Sequence, residues 1–236
     1  MSMAKRSVKS PDAAPLSPAG EESVTPAPPV TLHVTLTELP QGNLLHRVHQ
    51  NQYRADQFNP GVQGNARFSP IQDDKGNPIP TLYGGTTMDC ALMETIFHDI
   101  PYTAGFKSFD SGKLVGQVHS ILKIAQPLQL ADLASVPLRK LGVTRNQLID
   151  TEKDQYPTTR RWAEAIYQQY PQVQGLSWIS HQDDSARAVV LFGDRITQSA
   201  LRSHDTSRSL LEDGDAYDAV LDLAERIGVS VIPGKS

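Results

Sequence analysis

Thr81-Leu82-Tyr83-Gly84-Gly85-Thr86-Thr87-Met88-Asp89-Cys90-Ala91-Leu92-Met93-Glu94-Thr95-Ile96-Phe97-His98 is the stretch on which the fold turns. It opens with a short apolar segment ending in an aromatic residue and two glycines, the pattern of a strand running into a turn. Thr86 and Thr87 are candidate N-caps, because a threonine hydroxyl can accept from the free amides of a first helical turn. From residue 88 to about 98 the spacing predicts a helix. At 100° per residue Met88, Ala91, Leu92 and Ile96 share one face, while Cys90, Met93 and Phe97 cover much of the opposite one. A helix apolar nearly all round is expected to be buried. Glu94 interrupts it, with Cys90 and His98 on its own side. A carboxylate there must be paired, hydrogen-bonded or turned into a cleft, since an isolated buried charge is costly. A structural pair with His98 or an arginine meets that demand, and so does an active-site role. Tyr83 would point into any cleft at the helix N-terminus, where glycines permit close approach and free amides favour an anion. A core tyrosine beside an ordinary strand-to-helix turn fits the same residues.

Upstream, residues 30–35 alternate apolar and polar, which predicts a half-buried strand, and residues 44–48 predict another. Residues 53–80 are dense in Gly, Asn, Asp and Pro and read as loop. Within them Gly64-Asn65-Ala66-Arg67-Phe68-Ser69-Pro70 sets one arginine among small residues. Its guanidinium can hold a phosphate or carboxylate with two parallel hydrogen bonds, although a lone arginine is as a rule a solvated charge. Downstream, strands are predicted at 114–124 and 128–130, and a helix at 158–170 with Trp162, Ala165, Ile166 and Tyr170 on one side. Residues 188–192 form a continuous apolar run, a buried strand. A helix at 215–227 takes Asp213 or Asp215 as cap and Gly228 as stop, and a last strand covers 229–232. Ahead of the 188–192 strand, Ser177 and Ser180 taken alone read as turn residues or caps. Helices and strands mix without a βαβ rhythm, so the fold class is α+β, one domain over 31–236. Residues 1–30, rich in Pro, Ala and Ser, are expected to be a disordered or polyproline-like tail.

Hydrophobic residues at 39% suffice for a core, and a net charge of -4 gives no basic footprint for nucleic acid. No apolar run approaches the roughly 20 residues of a membrane span. The single cysteine, Cys90, rules out an intramolecular disulfide and a cysteine-based zinc cluster, and suits a reducing compartment. Lys5, Arg6 and Lys9 are not followed by an apolar segment, so a cytoplasmic protein is expected. G-x-G-x-x-G, the P-loop, H-E-x-x-H and G-x-S-x-G are absent. His46 with His49, and Glu94 with His98, have ligand-like spacing but no third partner, and no metal site is expected.

In their order and spacing these pieces resemble the RES domain family. Arg47 in His46-Arg47-Val48 matches the family's first arginine, and Gly64 to Ser69 match its glycine-rich loop. Leu82-Tyr83 matches its strand ending in tyrosine, and Ala91-Leu92-Met93-Glu94 its Ala-Leu-x-Glu helix. Gly175-Leu176-Ser177-Trp178-Ile179-Ser180 matches its late motif ahead of an apolar strand. The resemblance runs over about residues 44–195. Asn65-Ala66 stand where Gly-Gly is usual, Phe68-Ser69 where Trp-Asn is, and Trp178 where Tyr is. The resemblance implies an ADP-ribosyltransferase-like fold of mixed sheets with flanking helices. It also implies a bacterial toxin that degrades NAD⁺, by hydrolysis or phosphorolysis, beside an Xre-type helix-turn-helix antitoxin or another immunity protein. Catalytic roles would fall to Glu94, Arg67 and Tyr83, with NAD⁺ binding by Arg47, Ser180 and Trp178. In that scheme Ser180 donates to the nicotinamide ribose or a phosphate. A homodimer is common in the family, and delivery into a target cell is a further option. A protein ADP-ribosyltransferase using the same site and a catalytically inactive binding module are the alternatives.

Overall fold

A mixed sheet organises the chain. The computed structural model describes residues 24–61 and 63–234. In chain order the elements are β1 (Leu36–Leu39), β2 (Leu44–Gln50), the small hairpin β3 (Ile71–Gln72) and β4 (Pro78–Ile79), β5 (Thr81–Gly85) and α1 (Met88–Thr95). There follow β6 (Lys107–Asp110), β7 (Gln117–Ile124), β8 (Leu128–Asp132), α2 (Ser135–Leu141), α3 (Arg145–Leu148) and α4 (Tyr156–Gln169). The chain closes with β9 (Gly175–Ile179), β10 (Arg187–Phe192), β11 (Leu201–Ser203), β12 (Arg208–Ser209), α5 (Gly214–Arg226) and β13 (Val229–Ile232). The main sheet runs β1-β8-β9-β10-β5-β2-β7-β11, with β12 also on β7. Only β8 and β9 run parallel within it, and β6 pairs in parallel with β13 as a separate ribbon. This is the α+β class expected.

Strand alternation sorts the core. Leu176, Trp178, Ala188 and Val190 pack with Leu138, Leu141, Trp162 and Ile166 of α2 and α4. Leu82, Val189 and Leu191 join Leu45, Leu122 and Leu130 in a second cluster. A third forms where Leu92 and Met93 of α1 meet Val220 and Leu223 of α5 over Val48 and Phe109. Close packing fixes Gly175, where a Cβ would lie 2.3 Å from the Val190 carbonyl oxygen.

The stretch at 30–35 is a correction. Leu32 and Val34 are buried, as the alternation requires, but no ladder forms there. The Leu32 amide donates to Gln169 Oε1 and the Val34 amide to the Tyr170 hydroxyl. The C-terminal end of α4 therefore satisfies this backbone, and pairing with β8 begins only at Leu36. Helix α1 stops at Thr95 rather than at 98, with the Ile96 and Phe97 amides both directed to the Leu92 carbonyl. The strand expected from 114 begins at Gln117, because residues 111–114 form a 3₁₀ turn capped by Asp110. Of the candidate caps, Thr87 and Asp213 serve, through the amides of Cys90 and Ala216. Most of the expected tail, residues 1–23, lies outside the described residues. Of its remainder, Thr25 and Pro26 are held: Thr25 Oγ1 donates to the Gln147 carbonyl at 2.6 Å, and Trp162 Nε1 to the Pro26 carbonyl at 2.7 Å.

Candidate active site

Strand β5 and helix α1 meet at a tight corner. A Cβ on Gly85 would fall 2.9 Å from both Cβ and Sγ of Cys90, so only glycine lets the helix start this close to the strand. That corner turns Tyr83 and Glu94 into one cleft of about 760 Å³, bordered also by Arg47, Arg67 and Trp178. Five of the six residues singled out from the sequence thus share one cavity.

Ser180 is the sixth and lies behind the wall, fully buried. Its Oγ accepts from the amides of Gln182 and Asp183, both at 3.0 Å, and donates to Glu94 Oε1 at 2.6 Å. Two amides on the lone pairs leave one direction for the hydroxyl hydrogen, and that direction is Glu94. Ser180 therefore orients the carboxylate, where the resemblance implied a donor to ligand. Among the described residues the partner of Glu94 is neither His98 nor an arginine. Arg145 holds the segment from below, donating to the carbonyls of Ile179 and Ser180 and to Asp150 Oδ2. Burial works to raise the Asp150 carboxyl, but hydrogen bonds from His181 and Arg145 outweigh it and hold the group below its ordinary value.

Arg67 reaches the cleft from the loop ahead of β3 and is 8% exposed. Thr159 Oγ1 ties its carbonyl, and its guanidinium sits 5.4 Å from the centre of the Tyr156 ring. Among the described residues the guanidinium makes one hydrogen bond, a long one of 3.4 Å to the Thr151 carbonyl, and no carboxylate pairs with it. Arg47 differs: Nη1 donates to the carbonyls of Ala55 and Gln57, pinning that loop, and burial pushes its pKa down to about 10. Tyr83 accepts from the Phe68 amide, and burial pushes its phenol up to about 12, so it stays a neutral hydroxyl. Burial likewise raises Cys90 to about 12, with Glu94 adding, which makes its thiol inert.

Three buried side-chain atoms lack a partner among the described residues: Arg67 Nε, Thr151 Oγ1 and Trp178 Nε1. All three belong to residues that border this cleft. Each such atom costs about 1–3 kcal/mol, and natural proteins keep few of them. Hydrogen bonds join several of the residues that line the cleft. Lys153 Nζ donates to Asp99 Oδ1 at 2.6 Å, the Tyr102 hydroxyl to Gln182 Oε1, and Gln182 Nε2 to the His98 carbonyl. Thr151, Lys153, Tyr156 and Tyr102 carried no signal in the sequence, because each lies in a loop or at an element end brought in from far along the chain. Among the described residues no three His, Cys, Asp or Glu side chains gather as metal ligands, and no helix is long and apolar enough to cross a membrane.

Comparison with curated proteins finds no match. A family model does match: the RES domain, over residues 44–210, which carries the likeness past residue 195 through β11 and β12. With that match covering well over half of its length, the chain belongs to the RES domain family.

Proposed function

We propose that this chain cleaves the nicotinamide–ribose bond of NAD⁺. RES domains are toxin-like and associated with NAD-related enzymatic activity in general. The observation that carries the finer reading is Arg67, a buried cation that no carboxylate pairs among the described residues, in the same cleft as an oriented Glu94. A dinucleotide brings what each lacks. Its pyrophosphate neutralises Arg67, and its ribose, positively charged as nicotinamide departs, faces the Glu94 carboxylate. The volume suits a ligand of that size. Tyr83, neutral and with its oxygen held by the Phe68 amide, keeps its hydrogen for the nicotinamide end or a ribose oxygen. As Ser180 holds one Glu94 oxygen, the other is left for the ligand. A toxic activity of this kind calls for a neutralising partner, of the helix-turn-helix or another immunity type.

The test is incubation of the purified chain with NAD⁺, with and without phosphate, beside a Glu94→Gln variant, the products resolved by mass. Wild type should release nicotinamide together with ADP-ribose or its 1″-phosphate, and the variant should be slower by about 10²-fold or more. NAD⁺ that survives intact with wild type under every condition overturns the reading. Label from NAD⁺ appearing on protein would replace it with transfer to a protein acceptor.

A further inference from the structure

His46, next to the motif arginine Arg47 but given no role by the resemblance, borders the cleft and also a second cavity of about 230 Å³. That cavity lies between Met88, His119, Ile121, Arg208 and Asp215. His46 stands opposite Gly85 on β5, two residues from Tyr83. Its Nδ1 is 2.9 Å from Nε2 of His119 on β7, and the two rings lie 10° from parallel. The hydrogen bond fixes one nitrogen of each ring, so His46 Nε2 and His119 Nδ1 are the ends of a two-imidazole chain. A pair kept only for packing would be walled in, whereas this one has a cavity at either side.

We infer that His46 takes the proton released by the water that attacks ribose C1′, and that His119 passes it into the second cavity. The inference rests on the NAD⁺-cleavage reading. The C1′–N bond breaks with its electron pair going to the nicotinamide ring nitrogen, and a C1′–O bond forms from water. One water proton goes to His46 Nε2, the Nδ1 proton moves to His119 Nε2, and His119 Nδ1 yields its proton to solvent. The balance is NAD⁺ plus water giving ADP-ribose, nicotinamide and one proton.

Burial lowers both imidazoles, His119 to about 4, so each is neutral near pH 7 and holds one donor and one acceptor nitrogen. The groups about the pair are His49 and Arg47 on β2, Arg208 on β12, Asp205, Asp215 on α5, and Glu94 on α1 across the cleft. Arg208 and His49 work against a resident charge on His119, which favours passing the proton on.

The experiment compares NAD⁺ turnover by wild type, His46→Gln, His119→Gln and His119→Ala across neutral pH, with thermal unfolding as a fold check. His46→Gln should slow turnover by about 10²-fold, and the His119 variants by about 10-fold, below the usual range for general acid–base groups because His119 acts one step removed. Added imidazole, which fits the enlarged second cavity, should restore His119→Ala and leave wild type unchanged. Unchanged turnover in the His119 variants overturns the relay while leaving the NAD⁺ reading intact. A loss that imidazole does not restore also overturns it, by assigning the pair a structural role. A wild type that does not cleave NAD⁺ ends both readings at once.

Discussion

Glu94 owes its direction to a residue 86 positions away, and that separates two roles for Ser180. A hydroxyl on the ligand would contribute binding, whereas a hydroxyl behind the carboxylate contributes only what Glu94 does in the transition state. Ser180→Ala should therefore lower kcat by about 10-fold or more with KM nearly unchanged. It should also destabilise the fold by about 1–3 kcal/mol, since the amides of Gln182 and Asp183 lose their acceptor. Steady-state kinetics with a denaturant titration reads both, and a raised KM at constant kcat would return Ser180 to the ligand. The sequence alone made Glu94 conspicuous, a charge in an apolar helix. It could not name the partner, because a serine just past a strand end looks the same whether it caps a loop or aims a carboxylate.

At the scale of elements, the β5–α1 corner carries the geometry, and Gly85 is its tightest point. In Gly85→Ala the new methyl would press on the Cys90 side chain and the Ala91 amide, 2.9 and 3.0 Å away, both rooted in the helix backbone. The helix must shift, and Glu94 with it. The expected cost is about 1–3 kcal/mol, with NAD⁺ cleavage falling further than stability alone explains. Differential scanning calorimetry and product analysis on one preparation check this, and full activity in the variant would mean that Glu94 does not depend on the corner. This unit, with β2, β10, α5 and β13, was legible because apolar runs, caps and stops agreed locally. The ribbon partner β6 was not, since Lys107–Asp110 is a strand only because β13 lies beside it. Residues 30–35 failed in the opposite way: their burial was legible, but Gln169 and Tyr170 took the backbone groups that a strand would have needed.

Across the whole molecule the cleft is walled by segments that sequence distance keeps apart, and one wall is held from outside. Thr151 and Lys153 sit on the run between α3 and α4, which has little core of its own. Residues 24–26 brace it: the Thr25 amide donates to Gln155 Oε1, Thr25 Oγ1 to the Gln147 carbonyl, and Trp162 Nε1 to the Pro26 carbonyl. A chain beginning at residue 31 leaves the buried Trp162 indole without its acceptor, while one beginning at residue 24 keeps all three contacts. The shorter chain should therefore be less stable by about 1–3 kcal/mol. Its KM for NAD⁺ should rise more than its kcat falls, because the wall bearing Thr151 borders Arg67, the anion-binding side in the proposed reaction, rather than Ser180 behind Glu94. Equal unfolding midpoints for the two chains would show that the brace contributes nothing. A stability loss with unchanged KM would confine it to the fold and separate it from the site.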